Sequence, residues 1–157
     1  MTQEGLASLL ALGLVGLIAG WLDWRHRRLP NWLSMMLAVL GLAAAFHYGG
    51  IDLLGSSLIH AAMALCVGII LYSSGVICGG DGKYYAAAAS WFPIGWAYAL
   101  LFCVSVAGGL LYAAWWGSRR LRGIEIQNGP DAPDSAKLPY GVAIAAGSFA
   151  AALLHLR

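Results

Sequence analysis

Charge is what this chain has least of: 10% of its 157 residues are Asp, Glu, Lys or Arg, and 61% are hydrophobic. A soluble domain carries roughly 25% charged residues and 45–50% apolar ones. The mean hydropathy of +0.74 agrees, and together they exclude an ordinary soluble enzyme or a disordered chain. Cysteine is also scarce. Cys66, Cys78 and Cys103 form no C-x-x-C pair, which argues against a zinc site or a disulfide framework. Cys66 and Cys103 lie in apolar runs, where small core residues are expected. No His, Cys and carboxylate cluster has metal-ligand spacing, so neither a metal nor another cofactor is expected, and nucleic acid is not an expected partner. The N-terminal flank lacks the basic region and small-residue cleavage site of a signal peptide. Glu4 precedes the first apolar run and Arg25, Arg27 and Arg28 follow it, the pattern of a retained helix with its N-terminus outside.

What is present is a series of long apolar runs. At about 20 residues per span the length allows four to six membrane crossings with short loops. The expected fold is an all-α, polytopic helical bundle that is one domain over residues 1–157. The first span is expected over residues 5–22. Gly13, Gly16 and Gly20 recur in it at three- and four-residue spacing. Such spacing makes a small-residue packing face or reflects the general glycine content, 21 in the chain. Residues 24–31 form a polar loop that the positive-inside rule places in the cytoplasm. Pro30 disfavours helix at Leu29, and Pro30-Asn31 opens a second span. His47 to Gly50 marks a turn, with Asp52 just beyond it as a helix cap, and a third span covers about residues 53–76. His60 is a lone polar residue in that span, of the kind that bonds a neighbouring helix.

Two topologies compete for residues 84–116. One has a short, tilted fourth span over 81–92 and a fifth over 96–116; the other has a single kinked span. The first places eight of the nine Lys/Arg residues on one side, as the positive-inside rule favours. It gives about six crossings, a flexible cytoplasmic loop over about 117–137, and a last span over about 138–154.

Two carboxylates stand out in this pattern. Asp23 ends the first apolar run, and Asp81 sits in Cys78-Gly79-Gly80-Asp81-Gly82-Lys83 between two others. An ionisable group at a membrane segment is expensive to keep and is a functional candidate by default. The six-crossing topology puts both at one membrane face, where they can share a water. One carboxylate can then take a proton from that water while the other donates to a peptide carbonyl. Like charges that close do not both ionise easily, so such a pair holds one proton between them.

Asp23 with Arg25 and Pro30-Asn31 downstream, then Gly80-Asp81 with Lys83, resembles the type IV prepilin peptidase family of polytopic aspartic proteases. Leu138-Pro139-Tyr140-Gly141 looks like that family's closing span, and the likeness is to its small Flp/Tad-type, CpaA-like branch. Cys78 stands where the family's G-x-G-D motif begins with glycine. The resemblance implies Asp23 and Asp81 as catalytic residues, with Gly79, Gly80, Gly82, Lys83, Arg25, Pro30, Asn31, Pro139 and Tyr140 supporting them or the substrate. Gly79, Gly80 and Gly82 either offer backbone to an extended substrate or simply form a tight turn. The resemblance also implies cleavage of the basic leader of a prepilin or pseudopilin at the cytoplasmic face of a bacterial inner membrane. The partners are then the substrate, membrane lipid and the pilus or secretion machinery. Larger members carry a cysteine-paired methylating region for which there is no room ahead of the first span, so no N-methyl transfer is expected. The competing readings are a proton-coupled carrier using the same aspartates and an inactive assembly protein of a pilus or secretion system.

Overall fold

A computed structural model describes residues 3–27, 29–121 and 138–155, and every regular element among them is helical. In chain order these are α1 (Gln3–His26), α2 (Asn31–Ser73), α3 (Gly79–Ala89), a single 3-10 turn (Ile94–Trp96), α4 (Ala97–Leu121) and α5 (Tyr140–His155). Three stretches, Gly5–His26, Asn31–Ser73 and Ile94–Leu121, are long and apolar enough to cross a membrane, and Tyr140–His155 is apolar but shorter. By helix length the expected count of about six spans is not confirmed. The expected second and third spans run together as α2, and the expected fourth is an 11-residue helix, about 16 Å long against a hydrocarbon layer of about 30 Å. α4 also runs to Leu121, beyond residue 117, and the rest of the expected loop, residues 122–137, lies outside the described residues.

Although continuous by its hydrogen bonds, α2 is broken at Gly49 (φ −137°, ψ 15°) and Gly50 (φ 61°, ψ −150°). The left-handed φ of Gly50 is one that a side chain would oppose. The two arms on either side run antiparallel, as their contacts with α3 show. In the first arm Trp91 Nε1 donates to the carbonyl of Leu37 (3.0 Å), and Lys83 Nζ donates to Asn31 Oδ1 (3.3 Å). In the second arm His60 Nδ1–H donates to the carbonyl of Phe92 (3.0 Å), the Ile94 N–H donates to Ser56 Oγ (3.0 Å), and Gly68 lies against Gly82. Chain order is thus the same as that of α3 in one arm and reversed in the other. His60, 1% exposed, bonds a neighbouring element as expected.

Local sequence accounts for the ends of α2. Pro30 (φ −70°, ψ 141°) precedes its first residue, where a missing N–H costs nothing. Ser73 and Ser74 hydroxyls donate to the carbonyl of Ile70. Gly75 then turns left-handed (φ 73°), with Gly75 N–H to Tyr72 and Val76 N–H to Leu71 (3.0 and 2.9 Å). This pair of bonds is a Schellman motif, which satisfies the last carbonyls of the helix.

The core is built on α3. Ala86, Ala87, Ala88 and Ala89 are all buried, with Tyr84 and Phe92 beside them. α3 is held by both arms of α2 and by α5, and α5 in turn packs on α1 and α4. Small residues let the helices approach. Gly16 and Gly20 face Ala145 and Val142 of α5, and Gly13 faces Phe149, so this glycine row is a packing face. A Cβ at Gly147 would lie 2.5 Å from the Cα of Val104. Large apolar side chains point outward instead. Leu10, Leu14 and Leu17 are 62–74% exposed along one side of α1, an exposed stripe that water would not favour but lipid would. Cys66 belongs to this outer surface and is exposed, which corrects its expected place in the core: with the α2 face toward α3 filled by His60, Ala64 and Gly68, Cys66 is on the other side.

Gly147→Val is expected to separate α4 from α5 and lower stability by about 1–3 kcal/mol. Gly109→Ala, where nothing lies within 4 Å, is expected to be neutral or slightly stabilising. Thermal unfolding of both in detergent against the parent chain checks this.

Candidate active site

α1 does not stop at Leu22 but continues to His26, so Asp23 is still helical and its side chain is 5% exposed. The helix ends when Arg27 takes a left-handed conformation (φ 52°), its N–H donating to the carbonyl of Asp23 (2.9 Å). A non-glycine residue there costs roughly 1–2 kcal/mol. Arg27 is also the cation placed to act on Asp23. The two are four residues apart, which puts them on one face of a helix, whereas Arg25, two residues on, is turned away and exposed. Arg27 lies over the Trp24 ring (5.6 Å), and its Nη1 is buried without a hydrogen-bond partner. The sequence analysis singled out Arg25 and passed over Arg27, although the four-residue spacing was there to be read.

Asp81 lies in the first turn of α3, where the free N–H groups and the helix dipole favour negative charge. Its N–H and that of Gly82 donate to the carbonyl of Cys78 (3.1 and 3.3 Å). Cys78 caps the helix at φ −75°, ψ 145°. That is ordinary extended backbone open to any residue, so a cysteine in place of the motif's first glycine does not alter the geometry ahead of Asp81. The later glycines serve close packing. Gly82 lies against Gly68 with a would-be Cβ 3.3 Å from its Cα, Gly79 faces the Tyr72 ring, and Gly80 faces Leu29.

Leu29 joins the two halves of the site. It meets Gly80 on one side and Gly141 on the other, which brings the end of α1, the start of α3 and the start of α5 together. Asp81 follows Gly80 on one side of Leu29, and Asp23 is held by Gly141 on the other. The Gly141 N–H donates to Asp23 Oδ2 at 2.8 Å, across 118 residues of chain. Pro139, fully buried, precedes that turn, and Tyr140 packs on Gly108 of α4. The charge of Asp81 acts in turn on Tyr140, and that of Asp23 on the buried Tyr84. Lys83 and Asn31 bond each other at the entrance to α2. Of the residues marked from sequence, the structure therefore gathers Asp23, Asp81, Gly80, Pro139 and Tyr140 around one point, sets Lys83 with Asn31 beside it, and leaves Arg25 outside.

A cavity of about 450 Å3 extends from this point between the second arm of α2 and α4. Asp81, Gly82 and Tyr140 line one part of it, and Met63, Val67 and Leu101 supply an apolar wall.

These features describe a membrane protein in which three helix ends meet and an apolar-walled cavity leads away from the Asp81 side of that junction. The family model for type IV leader peptidases matches residues 10–113, and the chain belongs to that family. The match implies a peptidase acting on a prepilin-type substrate. It covers most of α1, all of α2 and α3 and most of α4, with both aspartates, while α5 lies beyond it. No curated protein and no solved structure matches the chain.

A would-be Cβ at Gly80 lies 3.7 Å from the Cβ of Leu29, within the range of about 3.5–4.5 Å that a disulfide bridges. With Cys66, Cys78 and Cys103 replaced by Ala, the pair Leu29→Cys and Gly80→Cys is expected to crosslink under mild oxidation. Loss of maleimide labelling that returns on reduction is the readout.

Proposed function

We propose that the chain is a prepilin peptidase in which Asp23 and Asp81 act as a catalytic pair, cutting the basic leader from Flp-type prepilins. The observation that carries this reading is that Gly141, whose N–H bonds Asp23, and Gly80, which precedes Asp81, both lie against Leu29, with both aspartates inside the family match. One aspartate takes a proton from the attacking water while the other protonates the peptide carbonyl oxygen; as the C–N bond breaks, the first passes its proton to the leaving amine and the second recovers one from a hydroxyl of the gem-diol. Two carboxylates this near share a proton, so the pair rather than either residue is the working unit.

The groove supports the direction of approach. Its apolar wall suits the hydrophobic helix of a prepilin entering sideways from lipid, with the scissile bond at the Asp81 end. Backbone inside the bilayer edge has to be unwound before it can be cut, because helical groups satisfy one another. In this reading the chain is a single domain of the bacterial inner membrane with the junction toward the cytoplasm. The two arms of α2 and the short α3 are then separate crossings of the six, and Arg25, Arg27, Lys83 and Arg119 lie on the inner side. The three cysteines form no pair of the kind the methylating region uses, so leader cleavage without methyl transfer is the proposed activity.

Co-expression with a cognate Flp-type prepilin tests this on a gel. Asp23→Asn and Asp81→Asn are each expected to lower cleavage on the order of 10³-fold or more; cleavage surviving either change defeats the paired mechanism. Val67→Trp is expected to raise KM several-fold while kcat holds, the mark of lost substrate binding alone.

A further inference from the structure

Glycine at position 141 needs an explanation that backbone geometry does not provide. Its φ is not positive; among the described glycines only Gly50 and Gly75 are left-handed. It lies in the first turn of α5, where a glycine weakens a helix by roughly 0.5–1 kcal/mol relative to alanine. What the position lacks is room. A Cβ there would sit 2.9 Å from Asp23 Oδ2, 3.1 Å from its Cγ, and 2.9 Å from Leu29 Cδ1, nearer than a Cβ is found to a carboxylate oxygen. Elsewhere on the α1–α5 seam Gly16 would meet Ala145 at 3.5 Å and Gly20 would meet Val142 at 3.8 Å, ordinary contacts, while Gly13 would meet the edge of the Phe149 ring at 3.0 Å. At Gly141 alone on this seam the partner is a carboxylate, and the same residue's N–H donates to that carboxylate at 2.8 Å.

We infer that Gly141 is a positioning residue, its bare Cα and its N–H together fixing the orientation of the Asp23 carboxylate toward the junction with Asp81. This rests on the reading of Asp23 as a catalytic carboxylate. The hydrogen bond sets one oxygen against α5, and the missing side chain lets it come that close. Substitution keeps the N–H but forces the carboxylate off its seat, and a displacement of about 1 Å at a reacting group can cost on the order of 100-fold in rate. The groove that receives substrate is lined by other residues, so the loss falls on kcat rather than KM.

The test uses the full chain in detergent or liposomes with a cognate Flp-type prepilin. Gly141→Ala is expected to lower kcat on the order of 100-fold with KM within about threefold, and Gly16→Ala to cleave like the parent. Adding Leu29→Ala to Gly141→Ala removes the other crowded neighbour and is expected not to restore kcat. A Gly141→Ala kcat within twofold of the parent overturns the inference, as does restoration by Leu29→Ala. A second measurement is independent of activity. The fall in Tm caused by Gly141→Ala is expected to shrink by more than half in an Asp23→Ala background, because contacting sites couple; additive falls overturn the contact. Should Gly141→Ala not accumulate, its recovery by Asp23→Ala supports the contact and failure in both backgrounds overturns it. Asp23→Asn run alongside separates the two readings. If it cleaves normally, the catalytic pair has failed whatever the Tm cycle shows. If it is inactive while Gly141→Ala cleaves normally, the pair stands and the positioning role alone has failed.

Discussion

A carboxylate that is 95% removed from solvent has to be satisfied by protein, and the arrangement around Asp23 follows from that need. The nearest supply of free donors in a helical bundle is the start of another helix, where the first N–H groups have no partner of their own. α5 provides this, with Gly141 close enough to bond and small enough to permit it. Once α5 is seated on Asp23, Pro139 and Tyr140 are carried to the junction, and Gly147 is brought against Val104 of α4. The placement of α4, and with it one wall of the groove, is thereby tied to the same contact.

The second constraint is the size of side chains inside. Four consecutive buried alanines in α3, with Gly68 and Gly82 backbone to backbone, leave little apolar volume within the bundle. Apart from a few such as Tyr84, Phe92, Leu33 and Leu100, the large apolar residues are on the outside, in positions that only lipid makes favourable. Close backbone approach takes the place of a filled core, as expected where lipid is as apolar as any side chain and packing has to supply the attraction between helices. The same closeness puts Asp81, in the first turn of α3, at the mouth of a groove with a largely apolar wall. Peptide bond hydrolysis needs water and charge at a place otherwise hostile to both, and a helix junction at the end of an apolar groove meets both requirements.

Much of this was legible along the chain. Asp23 and Asp81 stand out because charge is rare in apolar runs. Pro30 marks the start of α2, the glycine pair at 49 and 50 marks its break, and the row Gly13, Gly16, Gly20 marks the face of α1 that α5 covers. Length alone does not assign α3, which buries itself against three neighbouring segments in 11 residues, and nothing in its local sequence announces that. Cys66 was misplaced because an apolar run does not reveal which side of a helix faces in. The family pattern marks Arg25, whereas Arg27, four residues from Asp23, is the arginine that the helical period sets beside it.

The sequence by itself determined the apolar helical character of the protein, the family to which it belongs, and the two carboxylates that its chemistry invites. Those are properties of composition and local motif, and they survive without knowledge of what packs on what. Only the tertiary structure decided that Leu29 bridges the two halves of the site and that Gly141 holds a carboxylate 118 residues away. Each depends on the distance between atoms from separate helices, and that distance is set by which small residues face each other across the bundle, a matter on which the order of residues along one chain is silent.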